Sequence, residues 1–383
     1  MEWIGNIALY VVLACGVIGC VASIIARESA LAQAYMNGLY AIGHIFVAIA
    51  GIFASIPYIV SLVESIVSPL YSLAHIDPSL AITSILAIDM GGYQVAMQSA
   101  ESLEGATMAM FVGFMAGATI VFSIPVGLRI IPKAAHKDFA LGIMIGFLGI
   151  PFGVLVSCLF IMLDPVLIRD HIATQGKPTY LLDFSLPFVL WNLMPLAAFC
   201  LVVSLGLYYA RRVMLVGFYV FGFVLDMWGK VFLALLLIEH FSGGVSYVFG
   251  GFPFDPVFAD ESDTMRALEI AGYTGLVLSG TFVLCALLNA ALELSHKPNA
   301  LLFGGILACA SNVLAAYPML ANLSPKARIQ IVAFSVCGGF LIGDHLSFSA
   351  NFQPSLIVPI MLGKLAGALL ALCLARFFTE NVK

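Results

Sequence analysis

Long apolar stretches follow one another along the whole chain, separated by short polar connections. There are eleven, and they begin near Trp3, Asn37, Pro78, Thr107, Phe139, Phe184, Val213, Thr264, Asn299, Ile329 and Gln353. A helix needs about 20 apolar residues to cross roughly 30 Å of hydrocarbon. The pattern therefore predicts an all-α polytopic membrane protein.

Composition agrees with a membrane environment. Hydrophobic residues make up 62% of the chain and charged residues 10%, whereas soluble domains hold about 45–50% and about 25%. The first apolar run, from Trp3 to Ala26, follows no basic segment and is too long for a signal peptide, so we expect it to remain as the first helix. The eight cysteines show no metal-ligand spacing, and we predict packing roles for them and no metal or cofactor.

The placement of lysine and arginine decides between two topologies. If all eleven runs cross, the basic residues in water divide 8 against 6 between the two faces, which gives no orientation. If residues 78–102 and 299–322 each enter and leave on one face as re-entrant hairpins, only Arg169, Lys177 and Arg266 lie outside. The cytoplasmic side then holds eleven: Arg27, Arg129, Lys133, Lys137, Arg211, Arg212, Lys297, Lys326, Arg328, Arg376 and Lys383.

This count predicts about nine transmembrane helices plus two re-entrant hairpins, with the N-terminus outside and the C-terminus in the cytoplasm. Residues 1–163 form a first repeat of two helices, hairpin, broken helix and helix. Residues 164–212 form a linking loop and span, and residues 213–383 form the second repeat. Because the linker crosses once, the second repeat is inverted. A 5+1+5 inverted repeat places a transport site at the midplane and, by architectural analogy, indicates an elevator-like carrier.

The first predicted hairpin carries a carboxylate beside two glycines, in the sequence Asp89-Met90-Gly91-Gly92-Tyr93. A carboxylate inside an apolar run is costly unless it faces protein, water or a ligand. We predict that this tip binds substrate. The alternative is a buried Asp89 that caps a half-helix.

The following helix contains Thr119, Phe122 and Ser123 before Pro125. Proline removes a backbone hydrogen bond, and the freed carbonyl can coordinate a polar ligand. We add the three preceding residues to the candidate site. A packing kink at the proline is the alternative.

The second half offers a matching set. Its predicted hairpin tip is Ser311-Asn312, and the next helix carries Asp344, His345 and Phe348. Two adjacent ionisable groups in an apolar run are unusual, and Asp344 can orient or charge His345. A structural bond between the two is the alternative reading.

Other intramembrane charges give weaker signals. Asp226 and Lys230 stand four residues apart on one helix face, which predicts a self-neutralising structural pair. His44, Glu269 and Lys364 are single groups that could line the path or reach the interface.

Several of these segments resemble the EutH family, the membrane proteins of ethanolamine utilisation. The resemblance covers nearly the whole chain and implies a bacterial inner-membrane transporter of ethanolamine. Ser311 and Ser347 depart from the family pattern, so a related amino alcohol stays open as cargo. The matching stretches are Asp77-Pro78-Ser79, Asp89-Met90-Gly91-Gly92, Thr119 to Pro125, Met265-Arg266-Ala267-Leu268-Glu269 and Gly343-Asp344-His345-Leu346.

The candidate residues suit such a cargo, because an alkylamine is mostly a cation at neutral pH. Asp89 and Asp344 could balance the ammonium. Hydrogen bonds to the hydroxyl could come from four polar side chains and a ring face from three aromatic ones: Thr119, Ser123, Asn312 and His345, and Tyr93, Phe122 and Phe348.

Other functions are compatible with parts of the same pattern. A channel, a solute sensor or a carrier for a different polar solute would share the polar midplane. An intramembrane enzyme would need a nucleophile with a paired base, and the sequence shows none, so no enzymatic activity is expected. The basic residues follow topology and form no nucleic-acid patch. Partners are a small solute and lipid, and a homo-oligomer is compatible with the sequence.

Overall fold

The computed structural model describes residues 2–173, 177–250, 279–284, 286–287, 290, 300–342 and 344–381. The first part of the predicted run that begins near Thr264 lies outside these residues, as do Arg266, Glu269, Cys285, Lys297, Gly343 and Lys383. His44, Asp344 and Ser347 lie in described helices, but their side chains do not belong to the described part.

The described chain is almost entirely helical. Eighteen α-helices and one small antiparallel sheet can be bounded, in chain order: α1 Glu2–Ile25, α2 Ala30–Ala54, α3 Ile56–Ile66, α4 Ser68–Leu73, α5 Ser79–Thr83, α6 Gly92–Ser99, α7 Leu103–Val112, α8 Ile124–Ile130, α9 His136–Phe147, α10 Ile150–Leu163, β1 Val166–Ile168, β2 Tyr180–Leu182, α11 Leu186–Tyr209, α12 Arg211–Ser242, α13 Gly244–Phe249, α14 Ala300–Ser311, α15 Val313–Ala316, α16 Pro325–Gly338, α17 Asp344–Phe352 and α18 Ile357–Asn381.

Six helical stretches of the described residues are long and apolar enough to cross a membrane. A seventh is possible if Tyr10–Ile25 and Ala30–Tyr40, bent by 112° at their junction, count as one span. The all-α polytopic membrane class is therefore confirmed, while the number of crossings stays a prediction. The six stretches are Ile56–Leu73, Leu103–Ile130, Lys133–Leu163, Leu186–Tyr209, Arg211–Ser242 and Pro354–Thr379.

Residues 78–102 fold back on themselves. Helix α5 packs against α6, and a 3₁₀ turn, Ile88–Met90, lies between them. The two ends meet at Asp77, whose Oδ2 accepts a hydrogen bond from Glu101 N at 3.0 Å. Asn192 Oδ1 accepts from Asp77 N at 2.8 Å, which ties the base of this segment to α11.

Residues 299–322 contain α14, a break at Asn312, and α15. Asn312 Oδ1 accepts from Leu314 N at 3.0 Å and so caps α15. The last carbonyls of α14 are bonded by the chain between α16 and α17: Phe340 N donates to Cys309 O at 3.0 Å, and Ile342 N donates to Ala310 O at 2.8 Å. The second broken helix is predicted to be interrupted between α16 and α17. The backbone N–H groups of this interruption therefore bond the end of α14.

The broken helix predicted in the first half, which runs from α7 to α8, is widened by π-helical turns rather than cut. Between α7 and α8 the chain takes two π-helical turns, Gly113–Gly117 and Thr119–Ser123. Pro125 stands in the first turn of α8, directly after the second π-helical turn, and it has no N–H to donate to a carbonyl of that turn. The local irregularity predicted at Thr119–Pro125 therefore begins earlier, at Gly113.

The two halves pack through glycines. The sequence Leu-Gly-x-x-x-Gly occurs twice, at residues 148–153 where α10 begins and at residues 362–367 within α18. A methyl group on Gly149 would lie 2.3 Å from Gly367 O, and one on Gly153 would lie 2.7 Å from Gly363 O. Small residues at these positions let two membrane helices approach closely.

The predicted pair of Asp226 and Lys230 on α12 is confirmed. Lys230 Nζ lies 2.5 Å from Asp226 Oδ2. Arg129 at the end of α8 adds a third member, because its Nε donates to Asp226 Oδ1 at 2.6 Å. This ion group joins α12 to the first half.

Candidate functional site

Asp89 and His345 come from opposite halves of the chain and face each other. Asp89 Oδ2 lies 3.9 Å from His345 Nε2, too long for a direct hydrogen bond but suited to a bridging group. The His345 side chain is 1% exposed and that of Asp89 is 28% exposed. Asp89 Oδ1 and His345 Nδ1 have no hydrogen-bond partner among the groups that the structure describes. Buried polar atoms of this kind usually bind water or a ligand.

Aromatic rings enclose the imidazole of His345. Its ring centroid lies 4.8 Å from that of Phe114 and 5.1 Å from that of Phe340. Phe348 lies 5.9 Å from Phe114 and 5.7 Å from Tyr93, both edge to face. Ring faces attract cations, so the enclosure can hold an ammonium group beside the carboxylate of Asp89.

Lys364 completes the site from α18. Its side chain is 0% exposed, and its Nζ donates to Phe114 O at 2.9 Å. In a regular α-helix Ala118 N would bond Phe114 O, but in the π-helical turn Ala118 N bonds Gly113 O and Ala116 O instead. Lys364 thus bonds a carbonyl that lacks its usual α-helical donor in the π-helical turn. It also interacts electrostatically with Asp89 and His345.

One end of the aromatic enclosure is tied to the loop after α10. Gln353 Nε2 donates to Tyr93 Oη at 2.9 Å and to Arg169 O at 2.8 Å, and Gln353 Oε1 accepts from Arg169 N at 3.0 Å. Arg169 Nη1 donates to Phe352 O at 2.9 Å. These bonds hold the tyrosine hydroxyl, and with it one wall of the site, against the loop.

The glycines at the first tip have a structural reason to be there. Gly91 has φ of +90°, which glycine adopts without strain. Gly92 N donates to Ala87 O at 2.9 Å, so this amide is used within the turn. A methyl group on Gly92 would lie 2.5 Å from Ala87 O. The pair positions Asp89 by making the turn possible.

The remaining predicted residues lie near the site but use their donors locally. Thr119 Oγ1 donates to Met115 O at 3.0 Å, and Ser123 Oγ donates to Ala118 O at 3.3 Å. Phe122 contacts Phe340 edge to face at 5.7 Å. Ser311 and Asn312 are buried, and Asn312 caps α15 as described above. Asp344 begins α17, and the structure describes only its backbone.

Sequence reasoning missed Phe114, Phe340, Gln353 and Arg169 and gave Lys364 little weight. Lys364 did carry a signal: it stands in the middle of the last apolar run with no acidic residue three or four positions away. Gln353, a polar residue before Pro354, carried another. No group of three or more metal-binding side chains occurs among the described residues.

Comparison with known proteins identifies a matching protein family. The family described as "Ethanolamine utilisation protein, EutH" matches residues 4–378. A protein of Listeria monocytogenes named "Probable ethanolamine permease EutH" is 28% identical over 390 residues, covering 99% of this chain and 95% of the relative. A protein of Salmonella typhimurium with the same name is 29% identical, covering 91% and 85%.

A third relative, the "Uncharacterized protein YxeR" of Bacillus subtilis, is 29% identical and covers 91% of this chain and 88% of its own. No solved structure matches. The permease names and the apolar helices agree with an integral membrane transporter and not with an enzyme. Because the family match extends over nearly its full length, the chain belongs to the EutH family of ethanolamine utilisation proteins.

Proposed function

We propose that this protein takes up ethanolamine, or a closely related small amino alcohol, by alternating access through a site between Asp89 and His345. The observation that carries the proposal is the meeting of these two side chains across 3.9 Å inside an aromatic enclosure. The carboxylate of Asp89 balances the ammonium of the cargo. His345 Nε2, the ring nitrogen that faces Asp89, hydrogen-bonds the hydroxyl two carbons away.

The arrangement of the two halves supports alternating access. Gly149 opposes Gly367 and Gly153 opposes Gly363, so the same Gly-x-x-x-Gly spacing meets its counterpart antiparallel, as a local two-fold axis requires. Inverted repeats place their sites at such axes. In the proposed 5+1+5 architecture, the two predicted hairpins, residues 78–102 and 299–322, move as one unit with α7–α10 and α16–α18. Helices α1, α2, α11 and α12 form the scaffold, and the protein lies in the bacterial inner membrane with its N-terminus outside.

The test is uptake of labelled ethanolamine by proteoliposomes, with unlabelled ethanolamine, choline and a nucleoside as competitors. We expect saturable uptake that ethanolamine blocks, and counterflow of labelled against unlabelled substrate. Counterflow distinguishes a carrier from a channel, the alternative mechanism. Uptake blocked by a competitor other than ethanolamine would identify a carrier for a different polar solute.

Asp89→Asn keeps the shape of the side chain and removes its charge. We expect uptake to fall at least about tenfold, because hydrogen bonds to charged groups contribute roughly 1.5–3 kcal/mol. Asp170→Asn is the matched control, since Asp170 is an exposed carboxylate in the loop after α10 and pairs with His171. Unchanged uptake and affinity in folded Asp89→Asn would place the site elsewhere.

A further inference from the structure

Lys364 differs from the other intramembrane lysine that the structure describes. Lys230 is 60% exposed on its side chain and bonds a carboxylate at 2.5 Å. Lys364 is 0% exposed and bonds a backbone carbonyl. A lysine buried without a bonded carboxylate keeps its proton only if a source of negative charge lies nearby, and otherwise it becomes neutral.

Asp89 is that source. Among the described residues, the titratable groups that lie around Lys364 are Asp89 on the first folded-back segment, His345 on α17 and Cys337 on α16. Lys364 bonds the carbonyl of Phe114, and the Phe114 ring packs on the His345 imidazole that faces Asp89. A carboxylate and an ammonium neutralise each other in the empty site. His345 and Cys337 add no charge when the imidazole is neutral and the thiol protonated.

A cationic cargo changes this balance. If the cargo ammonium lies beside Asp89 while Lys364 stays protonated, two positive charges share one negative charge in a largely buried site. Like charges in a low-dielectric site repel strongly. The repulsion disappears when one of the two ammonium groups loses its proton, and Lys364 is the one that never leaves the protein.

We propose that Lys364 couples amine uptake to proton release, an inference that rests on the proposed function. When the cargo ammonium binds, an N–H bond of Lys364 breaks, its electron pair stays on Nζ, and the proton passes to water on the side from which the cargo came. When the cargo leaves on the other side, Nζ takes a proton from the water there. Each cycle exchanges one amine cation for one proton, and the charge of the moving unit stays constant.

This mechanism makes transport electroneutral and dependent on the proton gradient. In proteoliposomes that contain the wild-type protein, a tenfold higher proton concentration inside should drive at most about tenfold accumulation of labelled ethanolamine. The rate should be insensitive to a potassium diffusion potential set with valinomycin. A pH dye should report one proton released outside for each amine taken up. Protein-free liposomes correct for diffusion of the neutral amine.

Two substitutions separate the charge of Lys364 from its packing. Lys364→Met keeps the length and removes the ionisable group, so counterflow should persist while gradient-driven accumulation falls to about the level of protein-free liposomes. Uptake should then become faster with a negative interior. Lys364→Arg keeps a charge that does not leave at any usable pH, so net uptake should stop. Lys230→Met is the matched control and should remain coupled.

The outcomes distinguish this inference from the proposed function. Wild-type protein without ethanolamine counterflow contradicts the proposed function and the inference together. Counterflow with potential-sensitive, gradient-insensitive uptake overturns the inference alone. A Lys364→Met protein that stays coupled also overturns it and assigns the proton to His345. If neither Lys364 variant folds, two measurements on the wild-type protein test the inference. They are the number of protons released for each amine taken up and the response of uptake to the membrane potential.

Discussion

Backbone carbonyl groups surround Gly92 and leave no room for a side chain at this position. A methyl group there would lie 2.5 Å from Ala87 O and 3.0 Å from Leu86 O, and backbone atoms cannot rotate away as a side chain can. We expect Gly92→Ala to destabilise the protein by about 1–3 kcal/mol, since overpacking a close-fitting site costs this much. Thermal unfolding in detergent measures the effect.

Gly217→Ala is the matched control for this substitution. Gly217 also lies in a helix, α12, and a methyl group there would meet nothing within 4 Å. Alanine is favoured over glycine in helices by about 1 kcal/mol, so this variant should be as stable as the wild type or more so. Equal melting temperatures for the two variants would contradict the close approach at Gly92.

The polar residues of the site differ in how far sequence could identify them. Asp89 and His345 are recognisable because an ionisable side chain in an apolar run is costly. The sequence paired His345 with its neighbour Asp344, because adjacency is all that a linear pattern offers. The structure places Asp89 of the other half opposite His345, and the Asp344 side chain, which would test the predicted pair, does not belong to the described part. Lys364 gave a weaker signal, since its acceptor is the backbone carbonyl of Phe114, which no side-chain pattern encodes.

At the scale of elements, the folded-back segment of the first half is closed by one carboxylate. Asp77 Oδ1 accepts from Ser79 N at 3.0 Å and from Ser79 Oγ at 2.5 Å, while Oδ2 accepts from Glu101 N. Gly105 leaves the space for this carboxylate, because a methyl group on it would overlap Asp77 Oδ2. Residues before α5 and after α6 are thereby held together at one end.

Asp77→Ala should therefore loosen this segment at its base. It removes hydrogen bonds to a charged acceptor, each of which contributes roughly 1.5–3 kcal/mol. We expect faster amide hydrogen exchange across residues 79–101 and a lower melting temperature. Asp183→Ala, at an exposed carboxylate after β2, should change neither. Unchanged exchange in Asp77→Ala would mean that packing of α5 on α6 alone holds the segment closed.

The irregular elements were only partly predictable. Proline at position 125 correctly indicated a disturbed helix, because proline removes a backbone donor. The two π-helical turns begin twelve residues earlier, at Gly113, where Ile88 and Thr83 of the folded-back segment would contact any added methyl group. The turn is stabilised by contacts between distant parts of the chain, including the bond from Lys364. Local propensity could not reveal it.

At the scale of the whole molecule, the described contacts separate two ends. One end holds Asp77, Glu104 and Tyr180, where Tyr180 Oη donates to Glu104 Oε1 at 2.8 Å. The other end holds Asp138 and Arg328, whose Nη1 lies 3.2 Å from Asp138 Oδ2, and Arg328 Nε donates to Leu320 O at 2.7 Å. The stretch Leu103–Ile130 leads from the first end towards the second. The count of lysine and arginine residues could assign each end to a membrane face. It could not show which side chains contact one another at each end.

The topology prediction can be tested at those ends with cysteine labelling. In a cysteine-free background that retains uptake, Glu104→Cys should react with a membrane-impermeant thiol reagent from outside, and Leu323→Cys only from the cytoplasmic side. This expectation follows from the proposed topology, in which each predicted hairpin returns to the face it came from and the second half enters inverted. Tyr180→Cys is the control for the outer face, because Tyr180 bonds Glu104 directly. Labelling of Glu104→Cys and Leu323→Cys from one side would contradict the inverted repeat, and elevator-like movement of the proposed unit would then lose its structural basis.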